Sequence, residues 1–317
     1  MLPELSGPVA AIDCGTNSTR LLIVGADGTV LERQMRITRL GEGVDATHEL
    51  LPGAITRTLG VLGGYRRLMD RHHVVRARLV ATSATRDAVN AEGFFSATRR
   101  VVGQSPELLS GEEEGRLSFL GATSCLPSEC RAGGPLLVVD IGGGSTELAA
   151  GEVGAAGDGV AAVSLDIGCV RVSERFLAHD PPLRDELVDA RDFVDDAVTR
   201  ARGVLVPLPP GGVVGLAGTV STLVALERRL DHYDREAVHH AVLTRARVEG
   251  WLSRLSSEDR RARLARPGMV KGREDVIVGG VLILVAVMEA FDRSFCLASE
   301  DDILDGLAAS MRVTQRS

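Results

Sequence analysis

The chain has 317 residues, 44% of them apolar but only 3% aromatic, and a net charge of −7. This length suits one large domain or two ordinary ones, with cores resting on Val, Leu, Ile and Ala. The acidic balance excludes a general nucleic-acid binder, a class that carries a basic surplus or stripe.

In chain order, apolar runs near residues 9–12, 19–25 and 30–37, separated by GTNS and DG, predict a three-stranded meander. Helical periodicity over about 54–69 follows, then the strand RLVATS, a helix over about 87–102, the short strand ELLS and a helix in GEEEGRLSFLGA. The Pro, Ser and Gly of PSECRAGGP, 127–135, predict a linker. Past it the plan recurs as the meander LLVVD, TELAAG and VAAVSLDIG, a helix over about 184–204, the strand GVVGLAG and a helix over about 220–229. A helical insertion over about 244–266, an apolar helix over 275–291, the strand FCLAS and a last helix in DDILDGLAASM complete the chain. The apolar run from Val276 to Met288 is too short to cross a bilayer easily and reads as a buried helix. With no charged-then-apolar leader ahead of Val9 and five cysteines at no zinc-like spacing, the chain reads as a cytoplasmic protein with reduced thiols and no membrane partner.

The recurrence is clearest in two turns. VAAIDCGTNSTRLLI (9–23) and VVDIGGGSTEL (138–148) align Asp13 with Asp140, Gly15 with Gly142, Ser18 with Ser145, Thr19 with Thr146 and Leu21 with Leu148. Each is an apolar strand ending in aspartate, then a glycine turn and hydroxyl residues. Such turns present backbone N–H groups to an anion, and glycine lets a phosphate approach closely. Candidate phosphate ligands are Gly15, Thr16, Asn17, Ser18 and Thr19 in one turn, and Gly142, Gly143, Gly144, Ser145 and Thr146 in the other. Asp13 and Asp140, at strand ends, can take a hydrated Mg2+ that bridges to phosphate oxygens, with Glu147 as a further oxygen ligand. GLAGTVSTL (215–223) adds a strand, a glycine turn and a helix N-terminus, which makes Gly218 and Thr219 candidates of the same kind.

In SGEEEGR (110–116), Ser110 and Glu113 match a capping box, and Glu112 suits the helix dipole. Glu114 has no such explanation, because a hydrophobic staple would put an apolar residue there. Arg86, between a strand and a helix with Asp87 beside it, reads on its own as a solvated arginine near an acid. The pairs His72/His73 and His239/His240 read as solvated or interface side chains, and the arginines from Arg260 to Arg273 as solvated helix faces.

Taken together, AAIDCGTNSTRLLI, ATSATRDAVN, LLSGEEEGRLSFLGA, LVVDIGGGSTEL, SLDIGCVRVSERF and GLAGTVSTL resemble the exopolyphosphatase and guanosine pentaphosphate phosphohydrolase family of the actin-like phosphotransferase superfamily, in that family's order and over about residues 9–312. The resemblance implies an α/β fold of duplicated actin-like (ribonuclease H-like) domains with an interdomain cleft. Here they are 1–126 and 127–317, the helix of 300–317 packing back on the first. It implies Glu114 as the general base for water, with Glu113 as the alternative because Gly115 stands where the family often has alanine, and Arg86 on phosphate oxygens. The implied activity is Mg2+-dependent (or Mn2+-dependent) release of terminal phosphate from inorganic polyphosphate. Short chains are expected, since this sequence lacks the extra C-terminal domains of longer members, and so is a homodimer. The alternatives are hydrolysis of guanosine pentaphosphate and noncatalytic binding of guanosine penta- or tetraphosphate.

Overall fold

The computed structural model describes residues 7–127, 134–155, 157–205 and 211–313. Cys130 and most of the expected linker lie outside the described residues. The chain forms two units. One runs to Ser110 and takes in the chain from Ile303 onward, and the other is Gly111–Asp302.

In the first unit the meander is Val9–Cys14 (β1), Ser18–Val24 (β2) and Val30–Ile37 (β3), followed by Arg76–Ala81 (β4) and the two-residue Glu107–Leu108 (β5). The sheet order is β3-β2-β1-β4-β5. β1, β2 and β3 pair antiparallel, while β4 lies parallel to β1 and β5 parallel to β4. Helix Pro52–Arg71 opens on proline, which costs no hydrogen bond in a first turn, and buries Leu62, Tyr65 and Met69. The single helix expected over 87–102 is two, Ser83–Asp87 and Ala91–Val102, with Ala88 extended between them. The break is held by Asn90, whose side chain exchanges hydrogen bonds with the Leu50 backbone at 2.8 and 3.0 Å.

The second unit repeats the order. Leu136–Ile141 (β6), Thr146–Gly151 (β7) and Val160–Leu165 (β8) form the meander, and Gly212–Leu216 (β9), Val242–Thr244 (β10) and Phe295–Ala298 (β11) follow. The order β10-β11-β9-β6-β7-β8 matches the first sheet strand for strand, with β10 as an extra antiparallel edge at the start of the insertion. Both sheets thus carry the same α/β plan, the duplication that the repeated turns predict. Helix Ile277–Ala290 is buried from Ile277 to Met288 and packs on helices Cys169–Phe176, Arg184–Leu205 and Arg245–Ser256. Its apolar residues all round are those of a central core helix. No described helix is long and apolar enough to cross a membrane.

Helix Gly111–Ser124 groups with the second unit, where the sequence reading put it in the first. It packs on β6, β7 and β8. Two glycines let it lie close: a Cβ on Gly111 would fall 2.1 Å from Ser164 Cβ, and one on Gly115 3.2 Å from Ala162 Cβ. The terminal helix Ile303–Val313 packs in turn on β1, β2 and β4.

Candidate active site

Both glycine turns have one construction. The Gly15 amide donates to the Ser18 carbonyl at 3.0 Å, and the Gly142 amide donates to the Ser145 carbonyl at 3.0 Å. The carbonyls of the second turn are then drawn to one side. Gly142 O accepts from Cys169 N at 2.9 Å, Gly143 O from Val170 N at 2.9 Å and Arg171 N at 3.1 Å, and Gly144 O from Arg171 Nε at 2.8 Å. In a trans peptide the C=O and the next N–H lie in one plane and point in opposite directions. The amides of Gly143, Gly144 and Ser145 therefore point away from the helix that begins at Cys169. In the first turn Thr16 O accepts from Gly41 N, and Asn17 O from Thr38 N and Arg39 N, which turns the Asn17 and Ser18 amides the other way. Consecutive amides aimed alike form an anion-binding nest. Gly168 completes the second nest, since a Cβ there would lie 2.3 Å from Gly143 O.

Beside this nest stand two buried carboxylates. Asp140 and Glu147 face each other across the β6–β7 ladder, and both are almost wholly removed from solvent. Ser118 Oγ donates to Asp140 Oδ2 at 2.7 Å, and Ser164 Oγ donates to Glu147 Oε1 at 2.7 Å. Helix Gly111–Ser124 brings Glu112, Glu113 and Glu114 in its first turn. Glu112 and Glu113 are exposed, whereas Glu114 is half-buried with its Oε2 inside. Residues four apart share a helix face, so Glu114 lies one turn from the serine that holds Asp140.

Among the described residues no group of three or more His, Cys, Asp or Glu side chains is gathered to hold a metal ion. Asp140 and Glu147 nevertheless fit Mg2+, which is commonly held by one or two carboxylates with water and phosphate oxygens filling its octahedron. Asp13 is different. It belongs to the first unit, where its Oδ2 accepts from Arg20 Nε at 3.0 Å and Nη2 at 2.6 Å.

The Ppx/GppA phosphatase family matches residues 23–312. The chain belongs to this family. It is 44% identical to exopolyphosphatase 2 of Mycobacterium tuberculosis, over 96% of this chain and 98% of that protein. It is 30% identical to a guanosine-5'-triphosphate,3'-diphosphate pyrophosphatase of Vibrio vulnificus over 95% of its own length, but spans only 59% of that relative. The crystal structure of the Aquifex aeolicus Ppx/GppA family member superposes with a TM-score of 0.80 at 33% identity, over 98% of this chain and 99% of that one. The protein is a phosphoanhydride hydrolase of this family.

Other residues of this Ppx/GppA chain fall in less expected places. The Thr19 hydroxyl is buried against Thr38 Oγ1 at 2.8 Å, and the Thr146 hydroxyl donates to the Ile167 carbonyl at 2.6 Å. Both serve the turns from inside. Thr219 is buried with its hydroxyl against Gly280, where a Cβ would come within 2.1 Å. Arg86 lies in the first unit, its Nη1 donating to the Leu109 carbonyl at 3.0 Å. At the third turn, Arg273 Nη1 donates to Gly218 O, Ser221 Oγ and Thr222 Oγ1 at 3.0, 3.2 and 2.9 Å. Ala217, just before, takes a left-handed φ of 64°, a strain that marks a constrained loop. Sequence reasoning missed Ser118, Ser164 and Arg171, and it read Arg273 as part of a solvated helix face, whereas its guanidinium binds the third turn. A serine in the apolar run LSFL was the available sign for Ser118, because a buried hydroxyl needs a partner.

Proposed function

We propose that the protein is an exopolyphosphatase that uses Mg2+ to remove the terminal phosphate of inorganic polyphosphate. The observation that carries this reading is the Asp140–Glu147 pair beside the nest of Gly143, Gly144 and Ser145, with Glu114 on the helix that also reaches Asp140. Asp140 and Glu147 would hold Mg2+, which would supply charge neutralisation for the phosphate oxygens. The nest amides bind and orient the phosphate chain, and Arg86 with the amides of Asn17 and Ser18 are the phosphate-binding groups that the first unit offers. Glu114 takes the proton of a water whose oxygen attacks the terminal phosphorus as the anhydride P–O bond breaks, releasing phosphate and a chain shorter by one. Positioning and electrostatics of this sort carry most of phosphoryl transfer. Asp13 is left out of the cation site because Arg20 already balances its charge.

The relatives support polyphosphate over guanosine pentaphosphate, because the chain matches the mycobacterial exopolyphosphatase from end to end and the Vibrio enzyme over part of its length. The test is phosphate release with Mg2+ from short polyphosphate, long polyphosphate, guanosine pentaphosphate and ATP, each beside Glu114→Gln. Loss of a general base costs about 10²–10⁴-fold in rate, so Glu114→Gln falls by that factor on polyphosphate while Glu113→Gln stays near wild type. Equal activity of Glu114→Gln and wild type refutes the base, and faster turnover of guanosine pentaphosphate than of any polyphosphate refutes the substrate.

A further inference from the structure

Ser118 is fully buried in the middle of helix Gly111–Ser124, between Leu117 and Phe119. An alanine would fill that space, and a helical serine commonly turns its hydroxyl back to the carbonyl four residues earlier. Here the hydroxyl donates instead to Asp140 Oδ2 at 2.7 Å, out of the helix and onto the end of β6. Asp140 and Glu147 stand opposite each other on neighbouring strands, and each accepts a hydrogen bond from a serine hydroxyl. Ser164 supplies the donor to Glu147 from β8. Ser164 is also the residue against which Gly111 packs without a side chain. The helix that bears Glu114 is thus fastened to the acidic pair by a hydroxyl one turn along and fitted to the strand that holds the pair's other member.

We infer that Ser118 is a positioning residue: through its hydrogen bond to Asp140 it fixes the carboxylate that holds the divalent cation, and keeps that carboxylate in register with Glu114. This rests on the reading of Asp140 and Glu147 as the cation site. Groups that orient metal ligands in this way typically carry a 10–100-fold share of metal affinity.

The experiment is Mn2+ binding to the purified full-length protein without substrate, read by electron paramagnetic resonance of the free ion, for wild type, Ser118→Ala, Asp140→Asn and the double variant. The expected result is a dissociation constant about 10–100-fold higher for Ser118→Ala, a larger loss for Asp140→Asn, and no further loss when Ser118→Ala is added to Asp140→Asn. A purely structural serine would instead weaken binding equally in both backgrounds, and that outcome overturns the inference. So does wild-type Mn2+ affinity in Ser118→Ala while Asp140→Asn binds poorly, a result that leaves the cation site standing. Wild-type affinity in Asp140→Asn overturns the cation site itself. Thermal unfolding of metal-free Ser118→Ala, close to wild type, separates lost positioning from lost fold.

Discussion

Arg20 and Glu147 hold matching positions in the two repeats, each directly across a ladder from its repeat's aspartate. One substitution in a duplicated turn therefore separates two chemistries. In the first repeat the aspartate is neutralised by a two-nitrogen grip from Arg20, and in the second it gains another carboxylate. Replacing Arg20 with Met strands a charge on Asp13, which is 3% exposed, and loss of one partner of a buried pair costs about 3–5 kcal/mol. Urea unfolding should show a loss near the lower end of that range, and adding Asp13→Asn should recover part of it. The sequence alignment set Arg20 against Glu147, but only the strand register shows that each of them meets its repeat's aspartate. The thiols divide as clearly. Burial pushes Cys169 and Cys296 up to about 12 and raises Cys14 as well, so little reactive thiolate forms. Iodoacetamide at mildly alkaline pH should modify exposed Cys125 in the native protein and reach these three only after unfolding, as peptide mass mapping will show.

At the scale of elements, glycine has opposite meanings in two places. Gly60 lies exposed within helix Pro52–Arg71 with nothing within 4 Å of a Cβ, so Gly60→Ala should stabilise, by about 0.5–1 kcal/mol. At Gly168 the same change drives a methyl into the Gly143 peptide, whose backbone has no rotamer to yield. Overpacking of this kind costs about 1–3 kcal/mol, and here it also displaces the nest. Gly168→Ala should accordingly lower the melting temperature and raise KM for polyphosphate, while Gly60→Ala leaves KM unchanged. A different element carries a pH signature. Burial raises the Glu300 carboxyl above the ordinary carboxylate range and Asp302 adds to the rise, against the opposing Tyr233 hydroxyl, Arg273 and Arg235. Folded protein then keeps a proton that the unfolded chain has lost, so this contribution to stability is full below the ordinary glutamate range and is lost as pH rises through the folded value. Glu300→Gln should gain stability over wild type as pH rises through that window, read from urea midpoints. Long strands, glycine turns and the apolar core helix were legible because their signals are local periodicities. β10, the split at Ala88 and the burial of Arg263 beside Asp180 were not, because each depends on a partner distant in the chain. The same holds for His239, stacked on His240 and facing Asp301 rather than solvent.

At the scale of the whole chain, the two repeats exchange their final helices. Each runs through its meander, its parallel strands and then a last helix, and that helix joins the unit built by the other repeat: Gly111–Ser124 with the second sheet, Ile303–Val313 with the first. Periodicity revealed the repeats but not this exchange, since an amphipathic face does not name the sheet it covers. The terminal helix buries Ile303, Leu304, Leu307, Ala308 and Met311, and large apolar side chains contribute about 1.5–3 kcal/mol each on burial. Polar ties add direction: Asp305 pairs with Arg33 of β3, and Arg78 of β4 donates to Ser310 Oγ at 2.9 Å. That burial is a large fraction of the about 5–15 kcal/mol that holds a typical protein folded. Ending the chain at Asp302 should therefore expose β1, β2 and β4 to rapid hydrogen exchange, although every residue of that sheet is still present. Exchange protection should persist in β6, β7 and β9, whose own covering helix is upstream and intact. Unchanged protection in β1 of the shortened chain would show that the first unit stands without its borrowed helix, and restoration of protection by a synthetic peptide of residues 303–317 would show that the helix, rather than its covalent link, is what the sheet requires.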